Sequence, residues 1–196
     1  MVNCTVDTIF DGVPELLEAL RELQSNEVMV GIPEAKSSRK KEIIRNSELL
    51  YIHTHGIRRK SMRQEMQETM DNGSPYSEAY QLYIQEHGSP LWASPPRPVL
   101  EPAIEHRKDW IAEQLGKAAQ SALDGDVKGV RDGLHKAGQV AENAAKDWFT
   151  NPANGWAPNS PETIKLKGSN KPLIDTDQLR KAITHVVRRK GVSGND

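Results

Sequence analysis

Residues 127–148 carry the pattern that most restricts what this chain can fold into. Seven apolar residues recur there at alternating steps of three and four: Val127, Val130, Leu134, Ala137, Ala141, Ala144 and Trp148. This spacing places one apolar stripe along a helix. Because the stripe is rich in alanine, with glycines on the same seam, a neighbouring helix can approach closely. The pattern therefore predicts a long helix that packs against another helix.

The remaining periodicity predicts an α+β fold. Helical spacing begins at Leu100 and is interrupted by Asp124-Gly125-Asp126, which predicts one long broken helix over residues 100–148. Alternating apolar residues predict strands over 28–32 and 183–189, and a third strand near 98–100 is weaker. We expect a single domain over 1–196, in which a small antiparallel or mixed sheet packs on the long helix. An inserted helical hairpin at 57–88 and an extended C-terminal arm at 151–171 complete the predicted organisation.

The N-terminal third predicts further helices. Asp11 is the expected cap of a first helix, with Pro14 in its first turn. Residues 34–41 read as a polar loop, and a second helix is expected from about Lys41 to His53. Within the insertion, residues 57–70 and the stretch from Tyr76 predict two helices, joined by a turn at 71–75.

The pattern of the C-terminal region predicts an element that binds a neighbouring subunit. A polar, proline-punctuated arm precedes Pro172, and Asp175 or Thr176 is the expected cap of a short helix over 177–182. The strand that follows could pair across subunits. A truncation after Asn151 is therefore expected to leave soluble protein that no longer assembles.

Composition limits the function classes. Only 36% of residues are hydrophobic, which suits an elongated subunit that completes its burial against partners. The net charge of −1 gives the protein no overall positive field that would attract nucleic acid or an anionic membrane. A single cysteine, Cys4, cannot form an internal disulfide and suits a reducing cytoplasm. Neither a targeting segment nor an apolar run long enough to span a membrane is evident, so we expect a soluble chain without membrane contact.

Histidines offer the main catalytic alternative. His53, His55 and His87, with Glu86, could form the metal site of a small metal-dependent hydrolase if their segments meet. A helical two-histidine site needs a spacing of four, whereas His53 and His55 are two apart. The competing interpretation is two helix ends, with Gly56 and Gly88 as C-terminal caps. On this interpretation the chain holds no metal and needs no cofactor.

Other catalytic and binding patterns are weak. The sequence contains neither a Gly-x-Ser-x-Gly elbow nor a phosphate-binding glycine loop, so we expect no enzymatic activity. Three basic clusters could contact DNA, as in a nucleic-acid-binding helical adaptor, or an acidic partner, although nearby carboxylates favour a solvated surface. These clusters are Lys36, Arg39, Lys40, Lys41 and Arg45; Arg58, Arg59, Lys60 and Arg63; and Arg188, Arg189 and Lys190. Pro95-Pro96-Arg97-Pro98 is either a polyproline ligand or, as we favour, a rigid segment leading into the helix at Leu100, with Arg97 in fixed polar contacts.

Three blocks of sequence resemble one family. The C-terminal block (158–187) reads Pro-Asn-Ser-Pro-x-Thr-Ile, then Lys-Pro-Leu-Ile-Asp-Thr-x-Gln-Leu-Arg, then Ile-Thr-x-x-Val. The proline block (89–103) reads Ser-Pro-Leu-Trp-Ala-Ser-Pro-Pro-Arg-Pro-Val-Leu-Glu-Pro-Ala. The N-terminal block (30–56) contains Val-Gly-Ile-Pro and Leu-Leu-Tyr-Ile-His-x-His-Gly. In this order, the blocks are similar to tailed-phage neck proteins of the tail-completion, or head-to-tail joining, family.

The resemblance implies a structural role at the head–tail joint of a bacteriophage. Members of such families form rings, commonly hexameric, through whose lumen DNA passes without sequence-specific binding. The implied partners are further copies of the chain, a tail tube or tail terminator protein, and a head connector or stopper protein. The implied location is the neck of the virion, after assembly in the host cytoplasm. The implied subunit or partner interface comprises Trp92, Arg97, Pro158, Asn159, Pro161, Pro172, Leu173, Ile174, Thr176, Leu179 and Arg180.

Two departures from the family pattern are visible. The family usually has glycine where this chain has Asp177, so the turn after Thr176 is expected to differ. The insertion at 57–88 also separates two blocks that normally lie close together, and residues 85–88 resemble a second copy of the His-Gly element. We interpret the insertion as a peripheral hairpin with a partner contact of its own, the alternative being that it packs back onto the long helix.

Overall fold

The computed structural model describes residues 12–39, 44–58, 60–87 and 92–191. These residues form helices and two small antiparallel sheets, which confirms the predicted α+β class. The helices are α1 (Val13–Ser25), α2 (Glu34–Ser37), α3 (Asn46–His55), α4 (Lys60–Asp71), α5 (Tyr76–His87), α6 (Leu100–His106), α7 (Lys108–Leu123), α8 (Val127–Trp148), α9 (Pro161–Lys167) and α10 (Gln178–Ala182), with a 3-10 turn at Pro152–Asn154. The strands are β1 (Asn26–Gly31), β2 (Ile57–Arg58), β3 (Trp92–Ser94) and β4 (Thr184–Arg189).

The long broken helix of the prediction is a helical hairpin. At the break, Gly125 adopts a φ of +74°, and the chain reverses so that α7 packs along α8. Asp126 then caps α8 by accepting a hydrogen bond from the Gly129 amide at 2.8 Å. The predicted apolar stripe of α8 is buried from Val130 to Trp148. The predicted stripe and the predicted break at Asp124-Gly125-Asp126 are both confirmed, and at this break the chain reverses direction.

The first apolar cluster lies near the turn of this hairpin, between the C-terminal half of α7 and the N-terminal half of α8. Ala19 of α1 is fully buried there, against Ala118 and Ala122 of α7 and Val130 and Leu134 of α8. The N-cap of α1 is Gly12, which has no side chain to accept a hydrogen bond. Asp11, the expected cap, lies outside the described residues.

Strands β1 and β4 pair antiparallel and lie on α8. Val28 is opposite Val187 and Val30 is opposite His185, and these side chains face the helical layer. Both strands were predicted, and the structure corrects their bounds by one or two residues. The C-terminal strand, which the sequence also allowed to pair across subunits, pairs with β1 of its own chain.

The second sheet is smaller and was not predicted. Its strands are β2 and β3, with Ile57 opposite Ser94. The strand expected near Pro98 is wrong, because residues 95–99 have no regular structure and Leu100 already begins α6. Ile57, expected to begin a helix, instead lies in β2.

Two N-terminal helices differ from their predicted bounds. The polar loop expected at 34–41 contains the short helix α2. The second helix begins at Asn46 and runs to His55, and its expected start at Lys41 lies outside the described residues. Here the Arg45 amide donates to the Glu48 carboxylate at 2.9 Å, which satisfies one of the free donors at the helix start.

The insertion contains two helices, α4 and α5, joined by a turn at residues 72–75. Their buried contact consists of Met66, Ala79 and Tyr83, with Met70 and Tyr80 packed beside them. Among the described side chains, this cluster contains only residues of the insertion. The hairpin therefore has a small core of its own. It is separate from the first apolar cluster and from the second apolar cluster, which contains Leu179 and Ile183.

The predicted extended arm at 151–171 is not extended throughout. It contains the 3-10 turn and α9, which Ser160 caps by accepting from the Thr163 amide. Trp156 packs edge-on against Phe149 and donates its indole N–H to the carbonyl of Pro98 at 3.1 Å. The first half of this segment is thus fastened to the body of its own chain.

No helix in the described part of the chain has the length and apolar character needed to cross a membrane.

Candidate functional site

A cleft of about 510 Å³ lies among the described residues. Five chain segments form its walls: Arg39, one face of α3, the segment 94–97, the segment 158–167 around α9, and the segment 173–179, which leads into α10. The cleft therefore contains residues of all three sequence blocks. Its volume lies within the range of pockets that hold small ligands or a few side chains, about 300–1,000 Å³.

Arg97 fixes the proline block to the arm. Its amide donates to the His53 carbonyl at 2.6 Å, and its guanidinium donates to the carbonyls of Ala157 and Pro158 at 3.0 and 3.2 Å. Arg97 is only 6% exposed, and this burial lowers the pKa of its guanidinium. An arginine nevertheless keeps its charge in proteins. Arg97 thus places a permanent positive charge behind the cleft, and the prediction of a rigid segment leading into α6 is confirmed.

Gly56 allows the proline block to pass close to α3. It ends the helix at a φ of +74°, and its amide donates to the Ile52 carbonyl at 2.7 Å. A Cβ at this position would lie 2.9 Å from Pro96 and from the Ser94 carbonyl. The predicted cap at Gly56 is confirmed, and the close approach gives a second reason for glycine. Gly88, the other predicted cap, lies outside the described residues.

His53 and His55 lie on different sides of α3, as their spacing predicts. His53 is half-buried in the cleft, whereas His55 is exposed and bonded through Nδ1 to the Tyr51 carbonyl at 2.8 Å. The side chains of Glu86 and His87 lie outside the described part. The described residues hold no group of three or more histidine, cysteine or acidic side chains placed to bind a metal ion.

The environment of His53 keeps its imidazole neutral. Burial is the largest cause, and the cations Arg97, Arg39 and Lys167 add to it, so that the pKa of His53 falls from 6.5 to about 4. The His53 Nδ1 atom is buried without a hydrogen-bond partner in the described structure. This end of the cleft therefore has a positive potential and an unsatisfied polar atom.

Asn159 contributes a second unsatisfied polar atom. It is 8% exposed, and its side-chain Nδ2 has no hydrogen-bond partner among the described residues. Pro158 precedes it and is held by Arg97, while Ser160 follows it and caps α9. A buried amide donor without a partner costs about 1–3 kcal/mol, so such a group is usually paired by something.

The cleft is also lined by a turn with two unusual backbone conformations. Leu173 and Asp177 have φ values of 56° and 63°, in the left-handed region that favours glycine. Leu173 packs against the second apolar cluster, which contains Leu179 and Ile183. Asp177 is the N-cap of α10, but its side chain does not cap, so the expected caps Asp175 and Thr176 are both wrong.

Six of the predicted interface residues line the cleft, and five do not. Those in the cleft are Arg97, Pro158, Asn159, Leu173, Thr176 and Leu179. Ile174 packs against the second apolar cluster, and Arg180 donates to the Lys146 carbonyl of α8 at 3.0 Å. Pro161 is exposed at the start of α9, Pro172 lies outside the cleft lining, and Trp92 lies in β3 with its side chain outside the described part.

The sequence analysis missed Lys167 and gave His53 a different role. Lys167 follows Thr163 by four residues and Ser160 by seven, a spacing that places all three on one face of α9. That periodicity was the available signal for a shared surface. For His53, the sequence showed a possible ligand but not the three cations that surround it, because they come from distant segments.

A second polar cluster joins α8 to β4. Glu142 accepts hydrogen bonds from Lys146, from the backbone and Nδ1 of His185 at 3.0 and 2.6 Å, and from Thr184 at 3.3 Å. Burial by itself would raise the pKa of Glu142, but the hydrogen bonds from Lys146 and His185 outweigh it and lower the pKa from 4.5 to about 2. The carboxylate is therefore ionised at neutral pH and fastens the strand to the helix.

Two members of the basic clusters are paired with carboxylates. Arg45 is paired with Glu34, and Arg188 with Glu27 at 2.9 Å. This pairing fits the solvated-surface interpretation for those residues. Lys40, Lys41 and Arg59, together with the side chains of Arg58, Lys60 and Arg63, lie outside the described part.

Comparison with known proteins gives no match: no family model fits the chain, and no curated protein or solved structure is similar to it.

Proposed function

We propose that this chain is a structural protein of the neck of a tailed bacteriophage. In this proposal, its copies form a ring that completes the tail and connects it to the head. The partners are a tail tube or tail terminator protein on one side and a head connector or stopper protein on the other. DNA passes through the lumen without sequence-specific binding, and the protein has no catalytic role.

The three sequence blocks meet at one cleft, and this is the main observation in support of the proposal. His53, Arg97 and Asn159 come from the N-terminal, proline and C-terminal blocks, and all three line one cleft. Short matches that arose by chance would have no reason to meet in the fold. Residues that serve one interface would be expected to meet, as these do.

The exposed apolar surface supports a subunit that completes its burial in an assembly. Leu166, Leu123 and Trp110 are 88%, 62% and 60% exposed. Met29 and Val186 are cross-strand partners on the outer face of the β1–β4 sheet and are also exposed. Exposed tryptophan is typical of residues that anchor protein interfaces. A ring requires two different complementary surfaces on each subunit, and these side chains offer candidates for them.

Electron microscopy tests the proposal directly. The purified chain is imaged by negative stain alone and after mixing with phage tail tubes, and its mass in solution is measured by mass photometry. We expect closed rings with a central channel, and rings at one end of the tubes. A chain that remains monomeric and does not bind tube ends would overturn the proposal.

A matched pair of variants assigns the contact. Leu166→Ser removes the most exposed large apolar side chain among the described residues, and Lys165→Ser changes its exposed neighbour on α9. We expect the first to weaken ring formation and the second to leave it intact, with unchanged circular dichroism in both. Point variants are preferable to truncation after Asn151. That truncation removes β4 and the buried Leu179 and Ile183, so the soluble remainder expected from the sequence is not consistent with the fold.

A further inference from the structure

We infer that the cleft is a binding site for an acidic segment of a partner protein, whose carboxylate lies between His53, Asn159 and Lys167. This inference concerns the cleft of the single chain and goes beyond the proposed ring. It names the chemistry of the occupant, a carboxylate side chain flanked by apolar side chains.

The donors at one end of the cleft fit a carboxylate. Arg97 is immobilised by two carbonyl groups and supplies a fixed positive charge. The ammonium group of Lys167 donates to the Lys171 carbonyl at 3.1 Å, and an ammonium has three donors, so it can bind a second acceptor. The Asn159 amide is more than nine-tenths buried and has no acceptor in the described structure. A carboxylate oxygen at this end would satisfy the Asn159 donor and offset the excess positive charge.

Two acidic side chains in the lining favour a single carboxylate over a phosphate. Asp175 and Asp177 line the cleft, and their negative charges repel a dianion or a chain of phosphodiesters more strongly than a single carboxylate. The cleft is also lined by the apolar side chains of Leu49, Leu173 and Leu179. A single carboxylate flanked by apolar side chains could contact both the cationic side chains and the leucines of the cleft. At about 510 Å³, the cleft accommodates a few side chains, whereas a whole helix about 10 Å across is too wide to be enclosed.

Peptide titration of the full-length chain tests the inference. The probes are acetyl-Leu-Glu-Leu-amide, the matched acetyl-Leu-Gln-Leu-amide, and inorganic phosphate, each added to ¹⁵N-labelled protein followed by NMR. We expect the glutamate peptide to shift the side-chain amide signal of Asn159 and to bind about tenfold more tightly than the glutamine peptide, because a hydrogen bond to a charged group is stronger than one to a neutral group.

A charge variant and its control locate the carboxylate. Lys167→Gln should weaken binding of the glutamate peptide about tenfold. Lys165→Gln lies on the same helix outside the cleft lining and should leave binding unchanged. Equal binding of both peptides, binding of neither, tighter binding of phosphate than of the glutamate peptide, or equal effects of the two lysine variants would overturn the inference. Since the titration requires no ring and no tail tube, its result is separate from the test of the proposed function.

Discussion

The contact between α7 and α8 can be tested by adding one methyl group. In Gly133→Ala, the new Cβ would lie 2.6 Å from the Ala118 Cβ, 2.9 Å from its Cα and 3.0 Å from its backbone nitrogen. Carbon atoms in good contact are about 3.5–4.0 Å apart. The obstacle is largely backbone, which cannot rotate aside as a long side chain would. The two helices must therefore separate to accept the substitution.

The expected loss follows from two opposing contributions. Alanine in place of glycine inside a helix stabilises by about 1 kcal/mol. Overpacking of a close contact costs about 1–3 kcal/mol, and the backbone contact at Ala118 places this case near the upper value. The net result is a loss of about 2 kcal/mol in the free energy of unfolding. For a chain of this size, that corresponds to a melting temperature lower by about 4–8 °C.

Gly116→Ala provides the control. Gly116 lies in α7, and a Cβ there meets no atom of the described residues within 4 Å. This variant gains the helical preference without the clash, so it should be about 1 kcal/mol more stable than the natural chain. Urea unfolding followed by far-ultraviolet circular dichroism measures both variants. If Gly133→Ala is as stable as Gly116→Ala, the two helices do not touch at Ala118 and the reasoning is wrong.

Three further predictions concern separate features. Glu142→Gln should lower stability by about 3 kcal/mol at neutral pH, because the pKa of Glu142 in the folded chain, about 2, is below its usual 4.5. The stabilisation by ionised Glu142 is complete above pH 4.5 and is lost as the pH falls towards 2. Urea unfolding across this range should therefore show the free energies of unfolding of the variant and the natural chain converging. A constant difference between them would contradict the lowered pKa of Glu142. Asp177→Gly should raise the melting temperature, because relief of the left-handed conformation stabilises the fold by about 1 kcal/mol. The variant also loses the partly exposed ion pairs of Asp177 with Arg180 at 3.6 Å and Lys181 at 3.9 Å, which contribute less. A destabilised variant would show that those ion pairs contribute more than the strain. Replacing residues 58–86 with a Gly-Ser linker should leave the main melting transition unchanged, because the described core of the insertion is its own; outright unfolding would show that the insertion belongs to the main core.

Local patterns predicted the elements well. The stripe of α8 is buried as its spacing requires, and the alternation in β4 places His185 and Val187 against the helical layer. Gly56 ends α3 as predicted. In each case the signal lies within a few neighbouring residues, which is the range over which propensity and periodicity act.

Long-range arrangement could not be read in the same way. Asp124-Gly125-Asp126 breaks a helix whether the chain continues or reverses, and the reversal depends on the packing of α7 along α8, to which the close approach of Gly133 to Ala118 contributes. An alternating strand likewise does not specify its partner, so the sequence left open whether β4 pairs within the chain or also across subunits. The cleft depends on Arg97 meeting the carbonyls of residues 157 and 158, a contact between distant segments with no local signature.

The pairing of β1 with β4 determines which parts of the protein can fold during synthesis and which must fold afterwards. Val28 is opposite Val187, so almost the whole described chain must be synthesised before β1 meets its partner strand. At about 5–20 residues per second, this interval lasts roughly 8–30 s. The hairpin of α7 and α8 is local and can form during that time, whereas the sheet and the cleft wall at Leu179 form only afterwards. A nascent or prematurely ended chain therefore lacks a complete cleft, because Leu179 and the turn before it are among the last cleft-lining residues to be made.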